Sequence, residues 1–152
     1  MIIEGKNAIV SGSEYSFSIE KNGVKLLNLT ITDSNKGIIF SSSHCIVENC
    51  EMSGNEIGAI IYGDNNAIRN STISSLNTSI LIYGNENDVE GNYINGGMYG
   101  IKLQGNENTI FGNDIKGFYG ILLIGEDNQI EENDIYQCSF GVHLDNDNTI
   151  LN

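Results

Sequence analysis

Proline and tryptophan are absent from this chain, and only seven of its 152 residues are Lys or Arg. Against twenty Asp and Glu, that scarcity leaves a net charge of −13. The sign is wrong for binding nucleic-acid phosphates or an anionic membrane surface, so neither is expected as a partner. No apolar run approaches the roughly 18 residues of a membrane span, which excludes membrane insertion by a helix. No basic segment followed by an apolar stretch opens the chain, so a retained signal peptide is not expected. Three cysteines, without CxxC or histidine spacing, argue against a metal site and against a secreted disulfide scaffold. The length is that of one domain. Eighteen glycines, abundant Asn and abundant Ile suit neither a helical bundle nor a disordered tail.

What is present is a repeat of 20–21 residues. Its first apolar column is Leu26, Val47, Ile68, Val89, Ile110, Ile130 and Ile150, and its second is Ile31, Met52, Ile73, Ile94, Ile115 and Ile135. The third is Ile38, Ala59, Ile80, Ile101, Ile121 and Val142, and the fourth is Phe40, Ile61, Ile82, Leu103, Leu123 and Leu144. All twenty-five positions are apolar in a chain that is 39% hydrophobic. A unit this short, with apolar residues alternating at period 2, calls for strands with one buried face. The first two columns lie five apart, an odd number, so the alternation must break at a corner. Asn28, Asn49, Asn70, Gly91, Gly112 and Glu132 stand there. Asn and Gly tolerate the positive φ that a sharp bend requires.

The chain therefore coils, each turn stacking on the last at ~4.8 Å. At the start, Ile3 is expected in the fourth column and Ile9 in the first, by the spacing from Leu144 to Ile150.

Asn87-Asp-Val-Glu-Gly-Asn-Tyr-Ile94, Asn108-Thr-Ile-Phe-Gly-Asn-Asp-Ile115 and Asn128-Gln-Ile-Glu-Glu-Asn-Asp-Ile135 carry an N-x-I-x-x-N-x-I pattern, each followed by a Gly-apolar-x-apolar strand. In this the chain resembles the right-handed parallel β-helix proteins of the pectate-lyase-like superfamily, and more narrowly their carbohydrate-binding and sugar-hydrolase repeats. The likeness covers roughly residues 7–152. It implies an all-β, single-stranded parallel β-helix of about seven rungs, ~30 Å tall. Residues 1–152 are expected to form one domain, with irregular first rungs over 1–25, regular rungs over 26–144 and an open C-terminal strand over 145–152. Such repeats occur in enzymes, copper-site maturation factors, surface proteins and phage spikes, so the likeness specifies fold rather than chemistry.

The polar columns read as structure. Asn66, Asn87, Asn108, Asn128 and Asn148 recur at one corner, and Asn92, Asn113 and Asn133 at another. Stacked amides can bond one another where turns bury polar groups. Cys45 and Cys50 occupy these columns in an early rung, as small buried substitutes too far apart for a disulfide. Arg69, the only arginine, has Glu48 and Glu90 in its column and is expected to form a salt-bridge ladder with them. Glu86, Glu107, Asp127 and Asp147 align acidic groups, and two readings stand. A solvated acidic edge is the stronger; a weak Ca²⁺ site relieving like-charge repulsion is the other, and Ca²⁺ is the only cofactor that enters.

The Gly-His-Gly, Asn-Thr-Asp and Asp-Pro-His signatures of related hydrolases and epimerases are missing, and His143 with Asp145 makes at most a weak pair. No catalytic residue is assigned, and the reading leans away from an enzyme. The third strand should present Ile39, Ile60, Tyr62, Leu81, Tyr83, Tyr99, Tyr119 and Leu122 outward as one apolar and aromatic face. The expected function is a structural or interaction module of an extracellular or surface assembly, a location that the resemblance implies. It would associate with itself, head to tail through its open ends or face to face through this sheet. The second reading is a carbohydrate-binding or polysaccharide-processing module, with tyrosines stacking on sugar rings.

Overall fold

The computed structural model describes residues 1–145 and 148–151. Every regular element among them is a strand, and no helix is long and apolar enough to cross a membrane. All strand pairings join one turn to the next in parallel, so the chain is a β-helix of about seven turns with three faces. On the first face, the short segments Ile46–Glu48, Ala67–Arg69, Asp88–Glu90, Thr109–Phe111, Gln129–Glu131 and Thr149–Leu151 stack above Lys25–Thr32.

Each apolar column is a register line. Leu26, Val47, Ile68, Val89, Ile110, Ile130 and Ile150 are successive partners on the first face. Ile31, Met52, Ile73, Ile94, Ile115 and Ile135 follow one another on the second. The third and fourth columns line the inside of the third face. From Leu26 to Leu123 these side chains are buried in one continuous core. Stacking identical apolar residues at ~4.8 Å leaves little space between turns, which favours β-branched isoleucine on the pleated surface. The odd spacing between the first two columns is absorbed as expected. Asn28, Asn49, Asn70, Gly91, Gly112 and Glu132 all have φ between 48° and 63°.

The first turn departs from its expected register. Ile3 pairs with Leu26 in the first column and Val10 with Ile31 in the second, with a register shift between Glu4 and Ala8. Seven residues separate Ile3 from Val10, where five separate the columns above, so the surplus bulges at the corner. Ile9 is thereby turned outward and exposed, while Phe17 and Ile19 enter the third and fourth columns beneath Ile38 and Phe40.

Candidate contact face

Two buried amide ladders fix the corners. At the first, Asn87 Nδ2 donates to Asn108 Oδ1 (3.1 Å), and Asn108 Nδ2 donates to Asn128 Oδ1 (3.0 Å). Asn128 Nδ2 in turn donates to Asn148 Oδ1 (3.1 Å). Asn66 joins through its Oδ1, which accepts from Cys45 N, while its Nδ2 has no partner. At the second corner Asn92 and Asn113 donate upward to Asn113 and Asn133. The same oxygens also accept the backbone N–H of the turn below, as Asn133 Oδ1 does from Asn113 N (2.9 Å).

Sulfur takes the amide's place in this scheme. Asn113 Nδ2 donates to Val89 O and Phe111 O, the carbonyls 24 and two residues earlier. Cys50 Sγ donates to the corresponding Leu26 O and Glu48 O, and Cys45 Sγ to Lys21 O and Ser43 O. Cys138 Sγ does the same toward Ile115 O and Tyr136 O, at a third corner. All three thiols are free, Cys45 and Cys50 are buried, and burial pushes the Cys50 thiol above its ordinary pKa. A neutral, enclosed thiol is a poor nucleophile. In a maleimide time course on folded protein, Cys45 and Cys50 should react at least ~100-fold more slowly than Cys138, and should equalise in denaturant.

The sequence reading missed an outer ladder. Ser43 N donates to Asn22 Oδ1 and Asp64 N to Ser43 Oγ, both one turn apart. Asn85 N, Asn106 N and Glu126 N then donate to Asp64 Oδ1, Asn85 Oδ1 and Asn106 Oδ1. Its signal was available in Asn85-Glu-Asn87 and Asn106-Glu-Asn108, where an exposed Asn precedes each buried one by two.

The acidic column lies between the two ladders on a second left-handed corner. Gly23, His44, Asn65, Glu86, Glu107 and Asp127 have φ between 53° and 71°, and Glu86, Glu107 and Asp127 are exposed. Asp147 lies outside the described residues. Among those described, no three His, Cys, Asp or Glu side chains group as a metal would require.

Arg69 binds Asp88 (Nη2 to Oδ2, 3.2 Å), and its Nε lies in ionic contact with Glu90 Oε2 at 3.5 Å. The expected partner Glu48 pairs with Arg69 in backbone register only, because the guanidinium reaches toward the turn above. His143 and Asp145 approach to 3.5 Å, and both are half exposed.

The third face comprises Tyr15–Ile19, Lys36–Phe40, residues 57–61, residues 78–82, Tyr99–Leu103, Tyr119–Leu123 and Phe140–Leu144. Not one of the chain's twenty acidic residues lies in these seven segments. Ile39, Leu81 and Leu122 are half-buried along its midline. Ile60 is not available for contact as expected: only 2% of it is exposed, because Ile39 and Leu81 flank it one turn below and above.

Aromatics line both edges. Tyr62 and Tyr83, 53% and 43% exposed, stack at 5.2 Å with their rings 4° from parallel. At the opposite edge Tyr99, Tyr119 and Phe140 stack in sequence at 5.3 and 4.8 Å. Phe118 and Met98, both exposed at the adjoining corner, extend the apolar surface beyond what the sequence columns marked. Each stacked pair turns one ring face toward its neighbour, so those inner faces are closed to a sugar ring.

A smaller cluster on the second face was also missed. Lys116 Nζ lies 4.6 Å from the Tyr136 ring centroid and 5.5 Å from that of Tyr93. Hydrogen bonding to Tyr93 and then Tyr136 holds the ammonium above its ordinary pKa.

Comparison with known proteins follows the fold. A family model described as "NosD: Periplasmic copper-binding protein (NosD)" matches residues 2–121. No curated protein matches the chain by sequence. One solved structure is similar at 14% identity, over 93% of this chain and 92% of that one, with a TM-score of 0.18. It is of QnrB1, described as a plasmid-mediated fluoroquinolone resistance protein.

Proposed function

Because the chain belongs to the NosD family of β-helix proteins, we propose that it is a rigid, non-catalytic contact module of the periplasm, presenting its acid-free third face to another protein. The family's description supports that location, on the outer side of the inner membrane. The observation that carries the reading is the distribution of charge. A chain of net charge −13 keeps the strands of one sheet free of Asp and Glu and edges them with aromatic side chains, with Glu20 and Asp145 only at the two ends of the Tyr62 column. Depletion of charge and enrichment in Tyr, Phe and Met mark protein interface cores.

The family's description also names copper, which favours thiolate, thioether and imidazole ligands. The residues described here do not fit such a site. Each cysteine thiol sits at a different corner position and is committed to backbone carbonyls. Met52 lies in the core, His143 is paired with Asp145, Met98 and His44 are exposed at different corners, and Met1 is exposed at the first turn. No step of the proposed function passes through a metal.

The test is site-specific photocrosslinking in cells that make the protein. A photoreactive residue at Leu81 should give a discrete adduct, while one at Gln129, exposed on the first face, should give none. Absence of any Leu81 adduct would remove the contact reading.

A further inference from the structure

We infer that the third face is self-complementary and that its partner is a second copy of this chain, joined face to face about a two-fold axis. The inference rests on the contact reading above and names its partner. Three observations support it.

The first is charge. Two chains of −13 repel wherever their acidic surfaces meet, and in a two-fold contact like charges face like charges near the axis. The third face avoids this: its five-residue strands hold no acid and only Lys36 and Lys102 as cations, while Glu20 and Asp145, at the two ends of the Tyr62 column, and Glu14 and Glu56, at the opposite corner, stay at its margin. Lys102 leans over the Tyr99 ring at 5.4 Å and lays its stem along the sheet.

The second is shape. Bulk runs diagonally across the face. At one edge the aromatics occupy the lower turns, Tyr62 and Tyr83, beneath Gln104 and Ile124. At the other they occupy the upper turns, Tyr99, Tyr119 and Phe140, above Lys36, Ile57 and Thr78, and Tyr15 stands in the bottom turn, outside the two-fold overlap. An axis parallel to the strands, between the Leu81 and Lys102 turns, inverts the order of turns and keeps each edge on its own edge. Tyr83 then meets Gln104 of the other copy, and Tyr99 meets Thr78. Large groups lie over small ones, and Lys102 faces Leu81 rather than itself.

The third is area. With that axis six of the seven turns overlap, and six turns at ~4.8 Å by about seven residues at ~3.3 Å cover roughly 670 Å² per copy. The sum over two copies lies within the ~1,200–2,000 Å² of specific interfaces.

Light scattering on the purified chain at roughly 50 μM should give twice the chain mass. The dimer should tighten as salt rises, because screening removes repulsion without weakening an uncharged contact. Leu81→Lys should raise the dissociation constant at least ~100-fold by setting a second ammonium opposite Lys102 of the other copy. Tyr62→Glu, at an exposed position, repeats the test if Leu81→Lys fails to fold. A monomer at all concentrations, or a dimer indifferent to both substitutions, overturns the inference. Polymers broken only by charge at Ile2 or Ile150 overturn it in favour of stacking through the ends. A monomeric chain whose Leu81 adduct contains a different protein also overturns it, yet leaves the contact reading intact.

Discussion

Asn108→Ala should cost about 3–5 kcal/mol of stability, while Asn106→Ala, two residues away, should cost under ~1 kcal/mol. The contrast comes from burial. Asn108 Oδ1 accepts both Asn87 N (2.9 Å) and Asn87 Nδ2 (3.1 Å), and Asn108 Nδ2 supplies the carbonyl of Asn106 (3.0 Å). Asn87 and Asn108 are fully buried. The alanine variant leaves two donors of Asn87 without a partner and without water, at ~1–3 kcal/mol each. Asn106 Oδ1 accepts Glu126 N (2.9 Å) at an exposed corner, so water replaces it when it is removed. Urea titrations followed by circular dichroism measure both variants. Equal losses would mean that the inner ladder carries no more energy than the outer one. Each turn of a solenoid contacts only its neighbours, so the Asn108 loss should appear as local opening of the turns around residues 87–128 before global unfolding.

The fold was legible because one physical requirement repeats. Every turn must bury apolar groups at the same places, and every corner must bend, so Leu26, Val47 and Ile68 announce one strand while Asn28, Asn49 and Asn70 announce one bend. Legibility failed where the repeat length changes. The two surplus residues between Ile3 and Val10 shift the first turn's alternation, and no later turn supplies a template for the bulge.

At the candidate face, the outward direction of Ile39, Ile60 and Leu81 followed from alternation. The coverage of Ile60 did not, because it depends on how neighbouring turns lean together. The orientation of Tyr62 and Tyr83 was likewise beyond sequence. Their spacing reveals a tyrosine stripe, but only coordinates tell whether ring faces meet each other or open to a ligand. The thiols show the same limit: Cys45 and Cys50 fall in amide columns, yet their acceptors could be named only from geometry.

Glycines in this chain serve two needs, and substitution should separate them sharply. Gly84→Ala should destabilise by roughly 4 kcal/mol or more, whereas Gly112→Asn should change stability by less than ~0.5 kcal/mol. Gly84 is not in the left-handed region, so a side chain is conformationally allowed there. The obstacle is space. A Cβ on Gly84 would overlap the carbonyl oxygen of Gly63, and Gly84's own carbonyl fills the Cβ position of Gly105. This column runs from Gly63 through Gly84 and Gly105 to Gly125, each backbone lying against the one below. An added methyl must lift one turn from the next, disturbing the bonds from Tyr83 N and Gly84 N to Ile61 O (2.8 and 3.2 Å) and from Gln104 N to Ile82 O (2.8 Å). An overpacked core has little room to yield, and backbone yields least. Gly112 presents the opposite case. Its φ is 62°, nothing lies within 4 Å of an added Cβ, and Asn28, Asn49 and Asn70 already occupy its column with φ of 56°, 54° and 48°. Thermal melts of the two variants decide the matter. A tolerant Gly84 would mean that adjacent turns can separate at that edge, and a costly Gly112→Asn would mean that the corner demands more than a left-handed backbone.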